Sequence, residues 1–334
     1  MGNKNSDLMS AQKKRDDEYY TLYEDIASEV PKYRNQLIGK RIICPCDWDE
    51  SFDEEIVFSE GDFIASNNLI EPGGTLKEID LQKTHRIVKN INAISCNFIK
   101  FLIAHADDYQ IKSITVSGYN PATGEGVKFQ NIDYSKYDLV ITNPPFSQII
   151  EFFDIMFSYK KKFLVIGPQT AIGYKEAFKY IKSNQMWLGY AKQLSGFVLS
   201  DGTQVLAKNP EGSVPRACKW FTNLDVSYRH DKLILTEKYS QNRYPKYYNY
   251  DAIDVSKTRD IPYDYSGKMG VPITFLQKYN PAQFEIVESN RETIKTIRWN
   301  GDKANLWIEK DGAPFKCPFE RIIIRNLEVY KDED

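Results

Sequence analysis

Between residues 111 and 184 the chain alternates short, continuously apolar runs with stretches of helical spacing, and this alternation restricts the fold more than any other feature. "IKSITVSGYNP" (111–121), "YDLVIT" (137–142) and "KKFLVIGP" (161–168) read as buried strands. "FSQIIEFFDIMFSYK" (146–160), with Ser147 as a candidate cap, and "YKEAFKYIKSN" (174–184) carry the apolar period of helices. Upstream, "KRIICPC" (40–46) reads as another strand, while residues 17–33 and 87–109 read as helices, Pro31 standing near the end of the first. The pattern predicts an α/β fold: a doubly wound, mostly parallel sheet covered by helices, which binds ligands beyond the carboxyl ends of its strands.

Composition narrows the class. With 334 residues, 42% of them hydrophobic, the chain is long enough for one large domain or for a catalytic domain with an appendage. No stretch approaches the roughly 20 apolar residues of a membrane span, and the polar start has no secretory core, which predicts a cytoplasmic protein that does not engage membranes. Five scattered cysteines predict reduced thiols; Cys44 and Cys46 lack a second Cys/His pair at zinc spacing, so no metal site is expected. The net charge, 44 − 46 = −2, neither advertises nor excludes a nucleic-acid partner. Texture divides the chain into a polar amino terminus (1–16), a core (17–225) interrupted by an acidic, loop-rich insertion (about 49–80), and a tyrosine- and proline-rich region from 226 to 334.

The chemistry concentrates in "YDLVITNPPFSQIIEFF" (137–153), where two prolines stand between a strand and a helix. Proline donates no backbone hydrogen bond and pushes its predecessor into extended geometry, so Pro144 and Pro145 end the strand and stiffen a loop at the ligand-binding edge. The side-chain oxygen of Asn143 and the carbonyl of Pro144 can accept the two hydrogens of an exocyclic amino group and draw its nitrogen toward tetrahedral geometry. Those acceptors bind the developing positive charge more tightly than the ground state. Phe146 offers a face on which an extruded base stacks, worth about 1–3 kcal/mol. The implied reaction is methylation of a conjugated amine, with S-adenosylmethionine as donor and the protein placing donor and acceptor in line. Adenine in duplex DNA must first be swung out of the stack. The turn alone does not exclude an RNA adenine or a protein glutamine as acceptor, although phenylalanine rather than tyrosine after the prolines disfavours glutamine, and a DNA-binding relative without activity is a further alternative.

"DDEYYTLYEDI", "IICPCD", "CNFIKF", "YDLVITNPPF", "MWLGY", "WFTNLD", "YPKYYNYDAI" and "GVPITFLQKYNPAQFEIV" occur in one order over residues 16–325, and together they resemble the EcoRI-type family of adenine-specific DNA methyltransferases. The resemblance implies a Rossmann-like methyltransferase sheet with a smaller carboxyl-terminal DNA-recognition region. It further implies S-adenosylmethionine as cofactor, double-stranded DNA as partner, and a cognate restriction endonuclease as a possible companion. Oligomeric state stays open, with a monomer plausible. By the same analogy Tyr20 and Thr21 lie over the methionine end of the cofactor; Cys46, Asp47 and Asp49 follow the first strand, where this fold presents a carboxylate to the cofactor; Ser117, with the residues up to Asn120, flanks the adenosine; and Asp133 approaches its adenine.

The sequence departs from the wider methyltransferase pattern by lacking a Gly-x-Gly turn after the first strand, and the 49–80 insertion has no assigned role. Phe197 is a candidate for the opposite side of the flipped base. Arg243, Lys246, Lys257 and Arg259, interleaved with tyrosines, and Arg291, Arg298, Arg321 and Arg325 are candidates for phosphate contact.

Overall fold

The computed structural model describes residues 20–47, 76–87, 94, 96–120, 125–198, 203–206, 217–289, 306–310, 312–317 and 319–330. Asp49, Arg291, Arg298, the amino terminus and most of the 49–80 insertion lie outside these residues. The chain divides into two compact units, Met1–Gln169 with Gly189–Asp225, and Thr170–Leu188 with Val226–Asp334.

The first unit contains strands β1 (Tyr20–Thr21), β2 (Arg41–Cys44), β3 (Lys77–Glu78), β4 (Ser113–Val116), β5 (Leu139–Thr142), β6 (Lys162–Pro168), β7 (Gly196–Val198), β8 (Gln204–Leu206) and β9 (Cys218–Thr222). Its principal helices are α1 (Tyr23–Glu29), α2 (Asn97–Ala104) and α3 (Ile149–Ser158). The main sheet of this unit runs β3-β4-β2-β5-β6-β9. Parallel pairing joins β4 to β2, β2 to β5 and β5 to β6, whereas β3 and β9 run antiparallel to their neighbours. Ile42, Ile43, Leu139, Val140, Ile141 and residues 163–166 are buried irrespective of which way they alternate, as a sheet covered on both faces requires.

That cover is visible in two neighbouring residues of β9. Successive strand residues point to opposite faces. Trp220 meets Phe98 of α2 edge-on at 5.8 Å, and Phe221 meets Phe153 of α3 at 5.3 Å, so the two helices lie on opposite sides of the sheet. From β2 the chain moves outward to β4 and then returns to the other flank of β2 as β5. Sheets of this kind bind ligands beyond the carboxyl ends of the strands at such a reversal, here β2 and β5. At their amino ends, Arg41 grips Asp138 through Nε (3.0 Å), Nη2 (2.9 Å) and its backbone N–H (2.9 Å), fixing the register of the same two strands.

Three local expectations change. The helix predicted over 87–109 is a separate helix at Leu81–Ile87 and the shorter α2; after Ala104 the chain turns, and Gln110 ends it in the left-handed region (φ 49°). The helix predicted over 17–33 begins as β1, and Pro31, lacking an N–H, sits at the start of a 3-10 turn (Val30–Tyr33). Ser147 does not cap α3. It lies within a 3-10 turn (Phe146–Gln148) that Gln148 closes by donating its N–H to the carbonyl of Pro145 at 2.9 Å.

The second unit contains helix α4 (Lys175–Lys182) and strands β10 (Ile253–Asp254), β11 (Met269–Pro272), β12 (Phe284–Ser289), β13 (Trp307–Lys310), β14 (Ala313–Lys316) and β15 (Arg321–Asn326). Its sheet runs β10-β11-β15-β12, and β13 pairs with β14 as a hairpin whose turn uses Gly312 at φ 75°. Within this unit Arg321 forms a buried ion pair with Asp254 (2.9 Å), which also accepts from the hydroxyl of Tyr247 (2.6 Å). A side chain at Gly270 would start 2.1 Å from that hydroxyl, so only glycine leaves room for it. Among the described residues no helix is long and apolar enough to cross a membrane.

Candidate active site

Asn143, Pro144, Pro145 and Phe146 leave the carboxyl end of β5, where the strand order reverses. Pro144 is buried, Asn143, Pro145 and Phe146 are half-buried, and the side-chain oxygen of Asn143 is itself shielded from solvent. The turn is held from the neighbouring strand by Asp47, three residues beyond β2. Thr142 Oγ1 donates to Asp47 Oδ2 at 2.6 Å, Cys96 Sγ donates to Oδ1 at 3.8 Å, and the backbone N–H of Asn143 also donates to this carboxylate. Asp47's own N–H is fixed by the carbonyl of Ser117 at 3.1 Å. Burial pushes the Asp47 carboxyl up to about 7, even though the Thr142, Cys96 and Asn143 donors act the other way. Burial and then the proximity of Asp47 push the Cys46 thiol far up as well.

The wall beside the turn comes from a small antiparallel sheet, β1-β7-β8, in which Tyr20 pairs with Val198 and Thr21 with Phe197. Phe197 is buried and meets Phe146 edge-to-face, with ring centroids 6.1 Å apart and planes at 75°. With the edge of one ring against the face of the other, a base cannot lie between them until one ring turns. Thr21 Oγ1 is buried and makes no hydrogen bond to the described residues. The carbonyl of Thr21 accepts from Asn97 Nδ2 at 2.8 Å, and Asn97 follows Cys96, so β1, the start of α2, Asp47 and the Asn143 turn form one connected chain of contacts.

Two buried carboxylates of α1 place this wall. Glu29 accepts from the backbone N–H groups of Tyr190 (2.7 Å) and Ala191 (2.8 Å), and Asp25 accepts from that of Ser195 (2.8 Å). A side chain on Gly189 would begin 2.3 Å from Glu29 Oε1, so glycine permits the approach. Burial pushes both carboxyls up.

The structure thus brings Tyr20, Thr21, Cys46, Asp47, Ser117, Phe197 and 143–146 to one end of the first unit's sheets. Ser117 serves the backbone there, with its N–H on the carbonyl of Cys44 and its hydroxyl 3.4 Å from that of Val127. Asp133 is not brought to this end. Its carboxylate accepts from the N–H of Ser135 (3.0 Å), capping the turn that leads into the amino end of β5, and the charge of Lys161, just before β6, is felt there.

Of the cationic candidates, Lys246, Lys257 and Arg259 are exposed. Arg243 is drawn to Glu237 and lies 3.9 Å from Asp260, and Arg325 pairs with Glu285 at 3.5 Å. Arg321 requires a correction: only 5% of its side chain is exposed and its guanidinium faces Asp254, so it is unavailable to a phosphate. Thr142, Cys96, Asn97, Asp25 and Glu29 were not singled out from the sequence. Thr142 precedes Asn143, and Cys96-Asn97 opens "CNFIKF", but nothing local marks them as partners of Asp47 and Thr21. All five cysteines are free thiols, and no cluster of metal-ligating side chains occurs among the described residues.

The family described as "Adenine-specific methyltransferase EcoRI" matches residues 7–58 and 124–327. The type II methyltransferase M.EcoRI of Escherichia coli is 35% identical to this chain over 336 residues, covering 97% of each. M.MpnI of Mycoplasma pneumoniae, also a type II methyltransferase, is 33% identical over 339 residues, covering 95% of this chain and 97% of its own. M.MgeORF184P of Mycoplasma genitalium, of the same description, is 32% identical over 342 residues. No solved structure matches the chain.

Proposed function

Because this chain belongs to the EcoRI-type family of adenine-specific methyltransferases, we propose that it methylates the amino nitrogen of an adenine swung out of duplex DNA, with S-adenosylmethionine as donor. The observation that carries this reading is the placement of Asn143-Pro144-Pro145-Phe146 at the reversal point of a sheet covered on both faces. The strand order also supports a doubly wound, Rossmann-like description of the core.

The residues at that edge fit the donor. Thr21 presents a buried hydroxyl that no described residue satisfies, which suits a polar ligand group. Tyr20, Cys46 and Ser117 belong to the same edge and complete the proposed set. Asp47 is left out of it because its carboxylate is turned onto Thr142, Cys96 and the N–H of Asn143, and Asp133 because its carboxylate caps the turn before the amino end of β5. When bound, the donor supplies an electrophilic methyl on a cationic sulfur.

The chain's part is to bind, orient and polarise. Asn143 Oδ1 and the Pro144 carbonyl accept the two amino hydrogens, so the nitrogen lone pair is turned out of conjugation toward the methyl. Transfer of that methyl to the nitrogen would leave the donor's electron pair on its sulfur and a cationic amine, which would then give its proton to water. Phe146 stacks the extruded base, and a turn of its ring away from Phe197 makes room. The carboxyl-terminal unit is the proposed recognition region, with Lys246, Lys257 and Arg259 as phosphate contacts and Arg243 as a weaker one. In a restriction-modification pairing, the methyl mark protects the host's own sites from a cognate endonuclease.

The test is to incubate the protein with duplex DNA from a methylation-deficient host and methyl-tritiated donor, then digest to nucleosides. Label should appear in N6-methyladenine. Asn143→Ala should lower the single-turnover rate by about 10²–10³-fold. Label confined to another base, or a near-normal rate for the variant, would refute the assignment.

A further inference from the structure

We infer that Asp47 is a positioning residue for the Asn143 turn, holding the catalytic acceptors in register from the adjacent strand rather than contacting the cofactor. This rests on the reading above. The geometry is direct: one oxygen takes the Thr142 hydroxyl at 2.6 Å, the other takes the Cys96 thiol at 3.8 Å, and the N–H of Asn143 is donated to the same group. The carboxylate therefore contacts both residues on either side of the peptide that enters the turn.

That peptide is planar, so pinning the N–H of Asn143 also fixes the direction of the Thr142 carbonyl. Pro144 independently restricts Asn143 to extended backbone, and its own ring fixes φ. Under these constraints the peptide plane is set from one side and the onward path from the other, leaving the Asn143 side chain and the Pro144 carbonyl in a defined relation. Loss of the Asp47 contact releases the first constraint only. A misplacement of about 1 Å at a reacting centre is enough to cost roughly 10²-fold in rate.

Asp47 is itself fixed. Its N–H is held by the Ser117 carbonyl, and Cys96 opens α2, whose next residue holds the Thr21 carbonyl. The titratable groups that face Asp47 among the described residues are the thiols of Cys44, Cys46 and Cys96; β5 contributes a hydroxyl and an N–H. A carboxylate that meets only neutral donors among the described residues, and is buried in this way, is poised to change protonation near neutrality, which gives the inference a second readout.

The experiment compares wild type, Asp47→Asn and Thr142→Val in single-turnover methylation of methylation-deficient duplex DNA, with donor affinity measured separately by calorimetry using S-adenosylmethionine. Asp47→Asn should lower the rate by about 10–10²-fold with donor Kd within about threefold. Thr142→Val should fall between it and wild type, and Thr142→Ser should restore the rate. Wild type should lose rate as pH falls through about 7, and Asp47→Asn should lack that limb. If Asp47→Asn misfolds, the Thr142 pair still decides. Weakened donor binding at an unchanged rate would overturn the inference and return Asp47 to the cofactor, and unchanged rates in both variants would also overturn it. Failure of the wild type to methylate DNA at all would instead refute the underlying reading.

Discussion

Two buried aspartates, one in each unit, have nearly the same neighbours and different uses. Asp47 accepts a hydroxyl at 2.6 Å from Thr142 and a thiol at 3.8 Å from Cys96; Asp254 accepts a hydroxyl at 2.6 Å from Tyr247 and a thiol at 3.8 Å from Cys317. What separates them is a cation. Arg321 stands 2.9 Å from Asp254, and Ser256 adds a donor at 3.0 Å, whereas the described residues give Asp47 only a backbone N–H in addition. A guanidinium partner compensates the desolvation of Asp254 and makes it a fixed part of a fold. The carboxylate without one is left close to its titration point, beside the turn that carries the proposed chemistry.

The largest expected effect lies on the paired side. Arg321→Met leaves Asp254 buried without its cation, and should cost about 3–5 kcal/mol of stability, read from urea unfolding of the full chain. Adding Asp254→Asn should recover part of that loss, because the remaining group is neutral and still hydrogen-bonded by Tyr247 and Ser256. A loss below about 1 kcal/mol for Arg321→Met would mean that the pair is no more than a surface contact, of the kind worth about 0–1 kcal/mol.

How legible these two sites were from the sequence follows the same division. Strands β2, β5 and β6 could be read because a sheet covered on both faces needs unbroken apolar runs, and "RIIC", "LVIT" and "KFLVIGP" supply them. Strands β1, β3 and β7 have two or three residues each and exist through their pairing, which no local window contains. Asn143 to Phe146 could be read because the chemistry sits in four consecutive residues. Asp47's engagement could not, since Thr142 is 95 residues away and Cys96 is 49. Arg321 and Arg325 are four residues apart on β15, the same face by strand alternation, and what distinguishes them lies outside the local sequence: Arg321 is buried against Asp254, Arg325 exposed beside Glu285.

A smaller effect sharpens the unpaired side. Burial raises the Asp47 carboxyl from its ordinary 3.8 to about 7, so the folded state binds a proton more tightly than the unfolded one. The stability associated with that proton is present below about pH 4 and is lost as pH rises through about 7. Asp47→Asn stays neutral throughout. Relative to wild type it should therefore gain roughly 1–3 kcal/mol between pH 5 and pH 8 in urea unfolding, while being the slower enzyme. A constant difference across that range would show that Asp47 does not titrate as a buried group, and the contrast with Asp254 would fail.

The smallest effect concerns cations whose carboxylates hold them to different degrees. Arg321 is taken up by Asp254, Arg243 is shared between Glu237 and Asp260, and Arg259 keeps 76% of its side chain in solvent with Asp260 at 3.8 Å. A cation that displaces phosphate counterions reduces the slope of log K against log salt by about 0.9 for each contact. Arg259→Ala and Lys257→Ala should each flatten the slope of DNA binding by about that amount, because among the described residues neither is held by a carboxylate at hydrogen-bond distance, as Arg243 is by Glu237. Arg243→Ala should flatten it less, since Glu237 already neutralises much of the charge and must release it before a phosphate can take over. Equal slopes for all three variants would show that the carboxylates do not grade these cations. A flattened slope for Arg243→Ala alone would invert the order and place the phosphate where the paired arginine stands.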